Sequence, residues 1–226
     1  MSDVHLLTEH HSVIYMIKIG KKELLEVNNM NKNISIIVGH PNKNSFCGAL
    51  AQKYINGAKE SNANVRTIYI GDLSFNLVLP SGHNDLPDLE PDIIKAQEDI
   101  QWADHLVFVH PTWWYSAPAI LKGFFERTFL PGFAYSHVLS ETGKKTHSVK
   151  KHFSGKSAHI IATMDAPPFY YRWIIGSPGH KALKASLKMC GVKPVRTTSI
   201  GSIKTSSDKK RKKWLQMVEE KGRRIE

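Results

Sequence analysis

Five short stretches of this chain read as strands, and apolar residues at helical spacing fill the segments between them. That alternation narrows the fold more than any other feature of the sequence. "ISIIVG" (34–39), "HLVFVH" (105–110) and "AHIIAT" (158–163) are near-continuous apolar runs, the pattern of strands buried on both faces. "VRTIYI" (65–70) and "VRTTSI" (195–200) complete the set. After the first strand, Ser45 is placed to cap a helix in which Cys47, Leu50, Ala51, Tyr54, Ile55 and Ala58 fall on one stripe. A second helix is predicted over 91–102, with Ile93, Ala96, Ile100 and Ala103 on one side. A third starts near Ser116, with Pro118 in its first turn and Ala117, Ile120, Leu121, Phe124 and Phe125 facing inward. A fourth runs over 179–190 and ends at Gly191. A basic last helix, 207–222, turns Trp214, Leu215 and Val218 inward. The alternation predicts an α/β fold, an open parallel sheet with helices on both faces. In such sheets ligands bind beyond the carboxyl ends of the strands.

The chain has 226 residues, room for one domain with an appendage. Residues 1–30 lack a basic leader followed by a long apolar run. They are expected to form a poorly ordered extension ahead of a single domain over 31–226, with Met30 expected as the natural start. The two cysteines, Cys47 and Cys190, are too few for a disulfide framework, which suits a reducing, cytoplasmic setting. No run approaches the ~20 apolar residues of a membrane helix, so no membrane insertion is expected. The net charge of +11 raises nucleic acid as a partner. Much of it lies in "KKTHSVKK" (144–151) and "DKKRKK" (208–213), read as a solvated loop and a helix face. No recognition motif accompanies them, so no nucleic-acid partner is expected. Attraction of a phosphorylated cofactor or substrate is the third reading of the charge. No metal ligands are assigned.

Three loops meet at the sheet's carboxyl edge. "GHPNKNSF" (39–46) leads into the first helix, with Asn42, Lys43, Asn44 and Ser45 as polar groups. A helix N-terminus there favours phosphate. The loop is neither GxGxxG nor GxxxxGK[ST]. Phe46 lies off the buried stripe and is free to lean towards a bound ring, whereas Cys47 lies on it and reads as core. "PTWWYS" (111–116) places Trp113, Trp114 and Tyr115 in a row past the third strand. One such aromatic would be ordinary packing under a loop; three favour a platform for a flat ligand. Backbone N–H groups entering the third helix would stabilise negative charge developing on that ligand. "TMDAPPFYYRW" (163–173) is again aromatic, with Tyr170, Tyr171 and Arg172. Arg172 is equally suited to a phosphate or a surface ion pair.

"GHPNKNSF", "HLVFVHPTWWYSAPAILKGFFERTFLPGFAY" (105–135) and "CGV" followed by "TSIG" resemble the NAD(P)H:quinone oxidoreductase family, the DT-diaphorase, drug-modulator and potassium-efflux-ancillary group. The resemblance covers residues 33–203. It implies a flavodoxin-like three-layer sandwich with a five-stranded parallel sheet in the order 2-1-3-4-5, a homodimer, and a bound flavin, FAD or alternatively FMN. It implies a two-electron ping-pong reaction, hydride passing from NADPH or NADH to flavin N5 and on to a quinone. Carried over by position, His40, Ser45 and Phe46 hold the phosphate and ribityl part. Pro111, Thr112, Trp113, Trp114, Tyr115 and Ser116 line the isoalloxazine, and Thr163 and Asp165 lie along its other edge. Phe133, Tyr135 and Tyr170 face the substrate, the first two in a segment that resembles one reaching the neighbouring subunit. Tyr171 is the expected catalytic proton donor or orienter. "TMDAPP" departs from the threonine-glycine-rich loop of mammalian quinone reductases, and His180 is shifted from their catalytic histidine, so no Tyr–His relay is assigned.

Basic residues such as Lys144 and Lys151 make NADPH plausible as donor. The alternative function is a redox-sensing flavoprotein subunit that docks on a partner such as a transporter.

Overall fold

The apolar runs become the middle of a parallel sheet. The computed structural model describes residues 32–79, 82, 88–140 and 145–226. In chain order its elements are β1 (Asn33–Val38), α1 (Phe46–Glu60), β2 (Asn64–Tyr69), α2 (Pro91–Trp102), β3 (His105–Pro111), α3 (Ala119–Thr128), β4 (Tyr135–Leu139), β5 (Lys145–Lys151), β6 (Ser157–Thr163), α4 (Pro178–Met189), β7 (Val195–Ile200) and α5 (Asp208–Arg223). A 3₁₀ turn (Ile70–Asp72) follows β2, and a π-helical turn (Tyr170–Ile174) follows β6. The expectations for residues 1–30, including Met30 as the start, and for Lys144 lie outside the described residues.

The main sheet runs β2-β1-β3-β6-β7 with every pair parallel. Leaving out the β4–β5 hairpin, this is the expected 2-1-3-4-5 order. All seven residues of β3 are buried, as the continuous apolar run requires of a strand covered on both faces. On one face Phe108 and Ile160 meet Ile93, Phe124 and Leu187 of α2, α3 and α4. On the other, Ile36 and Val107 meet Leu50, Tyr54 and Val218 of α1 and α5. Each such side chain contributes about 1.5–3 kcal/mol on full burial. The α1 stripe is buried as its spacing dictates. Helices α1 and α5 approach closely, because a Cβ on Gly57 would stand 1.9 Å from the Glu219 carbonyl oxygen.

Two boundaries depart from the sequence expectation. Helix α3 begins at Ala119 rather than near Ser116, and Pro118 is its N-cap at φ −58°, ψ 153°. Residues 113–116 are taken by a tight turn instead. "KKTHSVKK" is not a solvated loop: Lys145–Lys151 is a strand, antiparallel to Tyr135–Leu139. The hairpin stands apart from the main sheet and leaves Val138 and Leu139 exposed, so its residues carry no buried-strand pattern to read. No helix among the described residues is long and apolar enough to cross a membrane. No group of three or more His, Cys, Asp or Glu among them is placed to hold a metal ion.

Candidate active site

The carboxyl ends of β1, β3, β6 and β7 are tied together before their loops diverge. Gly39 N–H donates to Val109 O (2.8 Å), Thr112 N–H to Thr163 O (2.6 Å) and Met164 N–H to Ile200 O (2.9 Å). The loops therefore leave one rigid edge.

The first loop is shaped mainly by its own polar groups. Asn42 N–H donates to His40 Nδ1 (2.9 Å) and Asn44 N–H to Asn42 Oδ1 (2.8 Å). Ser45 caps α1 by accepting from Gly48 N–H at 3.3 Å, as its position predicts. The N–H groups of Phe46 and Cys47 donate to no backbone carbonyl among the described residues, so the helix start keeps two donors for an anion. The Lys43 ammonium pairs with Asp72 at 2.8 Å, tying the first loop to the turn after β2. Phe46 is half-buried with its ring 6.3 Å from that of Trp214, which places it in the packing between α1 and α5. Cys47 is core: its thiol lies 3.3 Å from Thr163 Oγ1, and burial pushes its pKa up to about 11.

The second loop is a two-residue turn. Trp113 N–H donates to Ser116 O and Ser116 N–H to Trp113 O, both at 2.9 Å. Trp114 (φ 49°) and Tyr115 (φ 61°) both sit in the left-handed region, the signature of a type I′ turn. A side chain there costs roughly 1–2 kcal/mol, and the chain places two large aromatics in it. None of the three rings is buried: Trp113 and Tyr115 are 45% exposed and Trp114 is 96% exposed. The Trp113 ring meets the His40 ring edge-on at 5.7 Å, joining the first loop to the second. The N–H groups of Trp114 and Tyr115 donate to no backbone carbonyl among the described residues. The turn itself therefore adds free donors at this edge. Beneath it, Pro111 is buried, and Thr112 Oγ1 and His110 Nε2 are buried without a partner among the described residues.

The third loop braces the second. Tyr171 is 1% exposed. Its hydroxyl donates to Tyr115 O and accepts from Gly179 N–H, each at 3.2 Å. Burial raises the phenol pKa. Enclosed this way, Tyr171 braces the turn from beneath. Gly179 is the residue that sequence reasoning missed. A Cβ there would stand 2.9 Å from both Ser116 Cα and Tyr115 O, so only glycine lets α4 reach the turn. The Tyr171 and His180 rings do meet, edge-on at 5.3 Å. Asp165 is fixed by Lys204, 3.0 Å away, so it tethers the loop after β7. Tyr170 is exposed beside Phe169, Trp173 and Ile174. Arg172 lies over the Trp173 ring, 4.9 Å from its centroid.

Phe133 and Tyr135 are not brought to this edge within the chain. Phe133 packs edge-on against Phe153 at 5.2 Å. Tyr135 instead lines a groove of about 270 Å³ between α3 and α4 that begins at Ser116.

The family model for the flavodoxin-like fold matches residues 32–222. The chain is 29% identical over 195 residues to a protein named uncharacterized NAD(P)H oxidoreductase of Haemophilus influenzae, spanning 84% of this chain and 93% of that one. The crystal structure of Smu.1420 from Streptococcus mutans superposes with a TM-score of 0.70 at 31% identity, covering 84% of this chain and 98% of that one. A segment of 49 residues is 51% identical to NAD(P)H dehydrogenase [quinone] 1 of Cavia porcellus, which is 22% of this chain and 18% of that protein. The chain therefore belongs to the flavodoxin-like fold family, alongside relatives named as NAD(P)H oxidoreductases and quinone dehydrogenases.

Proposed function

We propose that this chain is a flavin-dependent NAD(P)H:quinone oxidoreductase working by two half-reactions at the aromatic edge. The observation that carries the reading is the 113–116 turn, which holds Trp113, Trp114 and Tyr115 exposed at the ligand-binding end of the sheet, the last two in an unfavourable backbone. Rings that served only the core would be buried in relaxed geometry. The residues fit a flat cofactor with an anionic tail. When bound, the flavin supplies two-electron chemistry between NAD(P)H and a quinone. Trp113 and Tyr115 offer stacking surface. The Trp114 and Tyr115 N–H groups stabilise a ring edge that gains negative charge. The Ser45 hydroxyl and the first amides of α1 hold a phosphate. Thr163 and Asp165 bound the other edge. FAD is the favoured form, and FMN uses the same contacts. A second copy of the chain closes the edge, giving a homodimer in the cytoplasm.

The test is an absorption spectrum of the purified protein, followed by anaerobic NADPH. A flavin spectrum that bleaches and returns on adding a quinone establishes both half-reactions, and the mass of the released cofactor chooses FAD or FMN. Colourless protein that takes up no added flavin sinks the reading. The exposed Phe169, Trp173 and Ile174 also suit docking on a protein partner. Flavin binding without quinone turnover would favour that second reading, a redox-sensing subunit.

A further inference from the structure

A second cavity, of about 650 Å³, opens between the loop after β6, the start of α4 and the strand β7. Its volume is that of a small-molecule site. Arg172, Lys181 and Lys184 all line it, and no carboxylate does. None of these three cations forms an ion pair among the described residues. Three like charges around one hollow repel each other unless an anion enters. The amide donors of the helix start do not explain the site. Gly179 N–H is taken by Tyr115 O and Tyr171, and Lys181 N–H donates to Ser177 O at 3.0 Å. Recognition rests on side chains.

Two further features define the ligand. Phe169 and Trp173 line the cavity and are exposed, with the Arg172 guanidinium over the indole, a wall suited to a flat ring. His180 also lines it, is buried, and its Nε2 has no partner among the described residues. Thr197 and Ser199 of β7 add hydroxyls. The cavity shares a wall with the aromatic turn, for Gly179 touches Tyr115 O and the next residue is His180.

We propose that this cavity binds the phosphorylated adenosine of an adenine nucleotide, and that it takes the 2′-phosphoadenosine end of NADPH when that donor brings its nicotinamide to the turn. Only the assignment to NADPH rests on the function proposed above; the nucleotide site does not.

The test is calorimetric titration of the full chain with adenosine 2′,5′-bisphosphate at low salt. One saturable site is expected. Arg172→Gln or Lys184→Gln should weaken it about tenfold, the loss of one charge-assisted hydrogen bond. Lys209→Gln, on α5 across the sheet, controls for net charge and should leave it unchanged. Displacement by NADPH identifies the donor as the source. Binding that persists beside NADPH identifies a separate nucleotide and keeps the cavity. No binding, or equal weakening by Lys209→Gln, overturns the proposal. Protein that binds the bisphosphate but never oxidises NADPH sinks the enzymatic reading alone.

Discussion

The Tyr171 hydroxyl stands 3.2 Å from the Tyr115 carbonyl oxygen and 3.2 Å from the Gly179 amide. One buried phenol thereby joins the loop after β6, the aromatic turn and the start of α4. Tyr171→Phe removes a donor and an acceptor together and leaves Tyr115 O with only the Gly179 amide. The expected loss of stability is about 1–2 kcal/mol by urea denaturation, with flavin affinity falling several-fold as the turn loosens. The pH–rate profile should keep its shape. A lost limb in that profile would put the phenol in the proton path and defeat its role as a brace.

Trp114 has its backbone at φ 49° and its ring almost wholly in solvent. Asparagine tolerates that conformation far better than tryptophan. Trp114→Asn should therefore raise stability, by up to about 1 kcal/mol, while weakening flavin binding. Thermal melts and a flavin titration on the same preparation check both halves. A drop in melting temperature would mean that the indole supports the fold and not a ligand.

The sheet was legible in the sequence because parallel strands covered on both faces need apolar residues at every position. β3 and β6 carried that signal directly, and the α1 stripe carried the helical one. The hairpin of β4 and β5 was not legible, since it stands apart from the main sheet and touches the core through Tyr135 at its end, too little to impose an alternating apolar pattern. Trp113, Trp114 and Tyr115 could be placed at the binding edge from strand order alone. Their left-handed turn could not, because nothing in "TWWYS" supplies the glycine or asparagine such turns favour. Gly179 was invisible for another reason. Its necessity comes from Ser116 and Tyr115, more than sixty residues away in sequence, and a contact between loops leaves no local pattern. The ion pairs of Lys43 with Asp72 and of Asp165 with Lys204 join residues far apart in the chain and likewise leave no local pattern.

Cys47 and Cys190 are both buried, and burial pushes each thiol pKa up to about 11. The thiolate is the reactive form, so the native protein should react negligibly with an aromatic disulfide reagent at pH 8. Denatured protein should titrate both of its 2 cysteines. Fast labelling of one thiol in the native state would reveal opening of α1 at Cys47 or of α4 at Cys190.

Acid should unfold this protein through its histidines before its carboxylates. His105 is buried against Tyr54 and Ser157, and burial first, then the neighbouring His159, pushes its pKa down to about 3. His159 falls to about 4 through burial and then Lys221, with Arg196 and Glu226 also nearby. His180 falls to about 4 through burial and then His110 and Lys184. An unfolded imidazole titrates near 6.5. With the folded value depressed, the stabilisation is whole above 6.5 and drains away as pH falls towards the folded values. Each histidine then contributes a slope of about 1.4 kcal/mol per pH unit in that window, and a shift to about 4 amounts to roughly 3 kcal/mol. Glu226, lowered mainly by its hydrogen bond to Lys221, begins to matter only near the ordinary value of 4.5. Burial lowers His110 as well, so urea midpoints measured from pH 7 to pH 5 should fall steeply, and His159→Gln should remove about a quarter of the slope without steepening the rest. Stability that stays flat across that range would show that these imidazoles take up protons as readily in the folded chain as in the unfolded one, and the neutral buried network around Tyr54 would have to be redrawn.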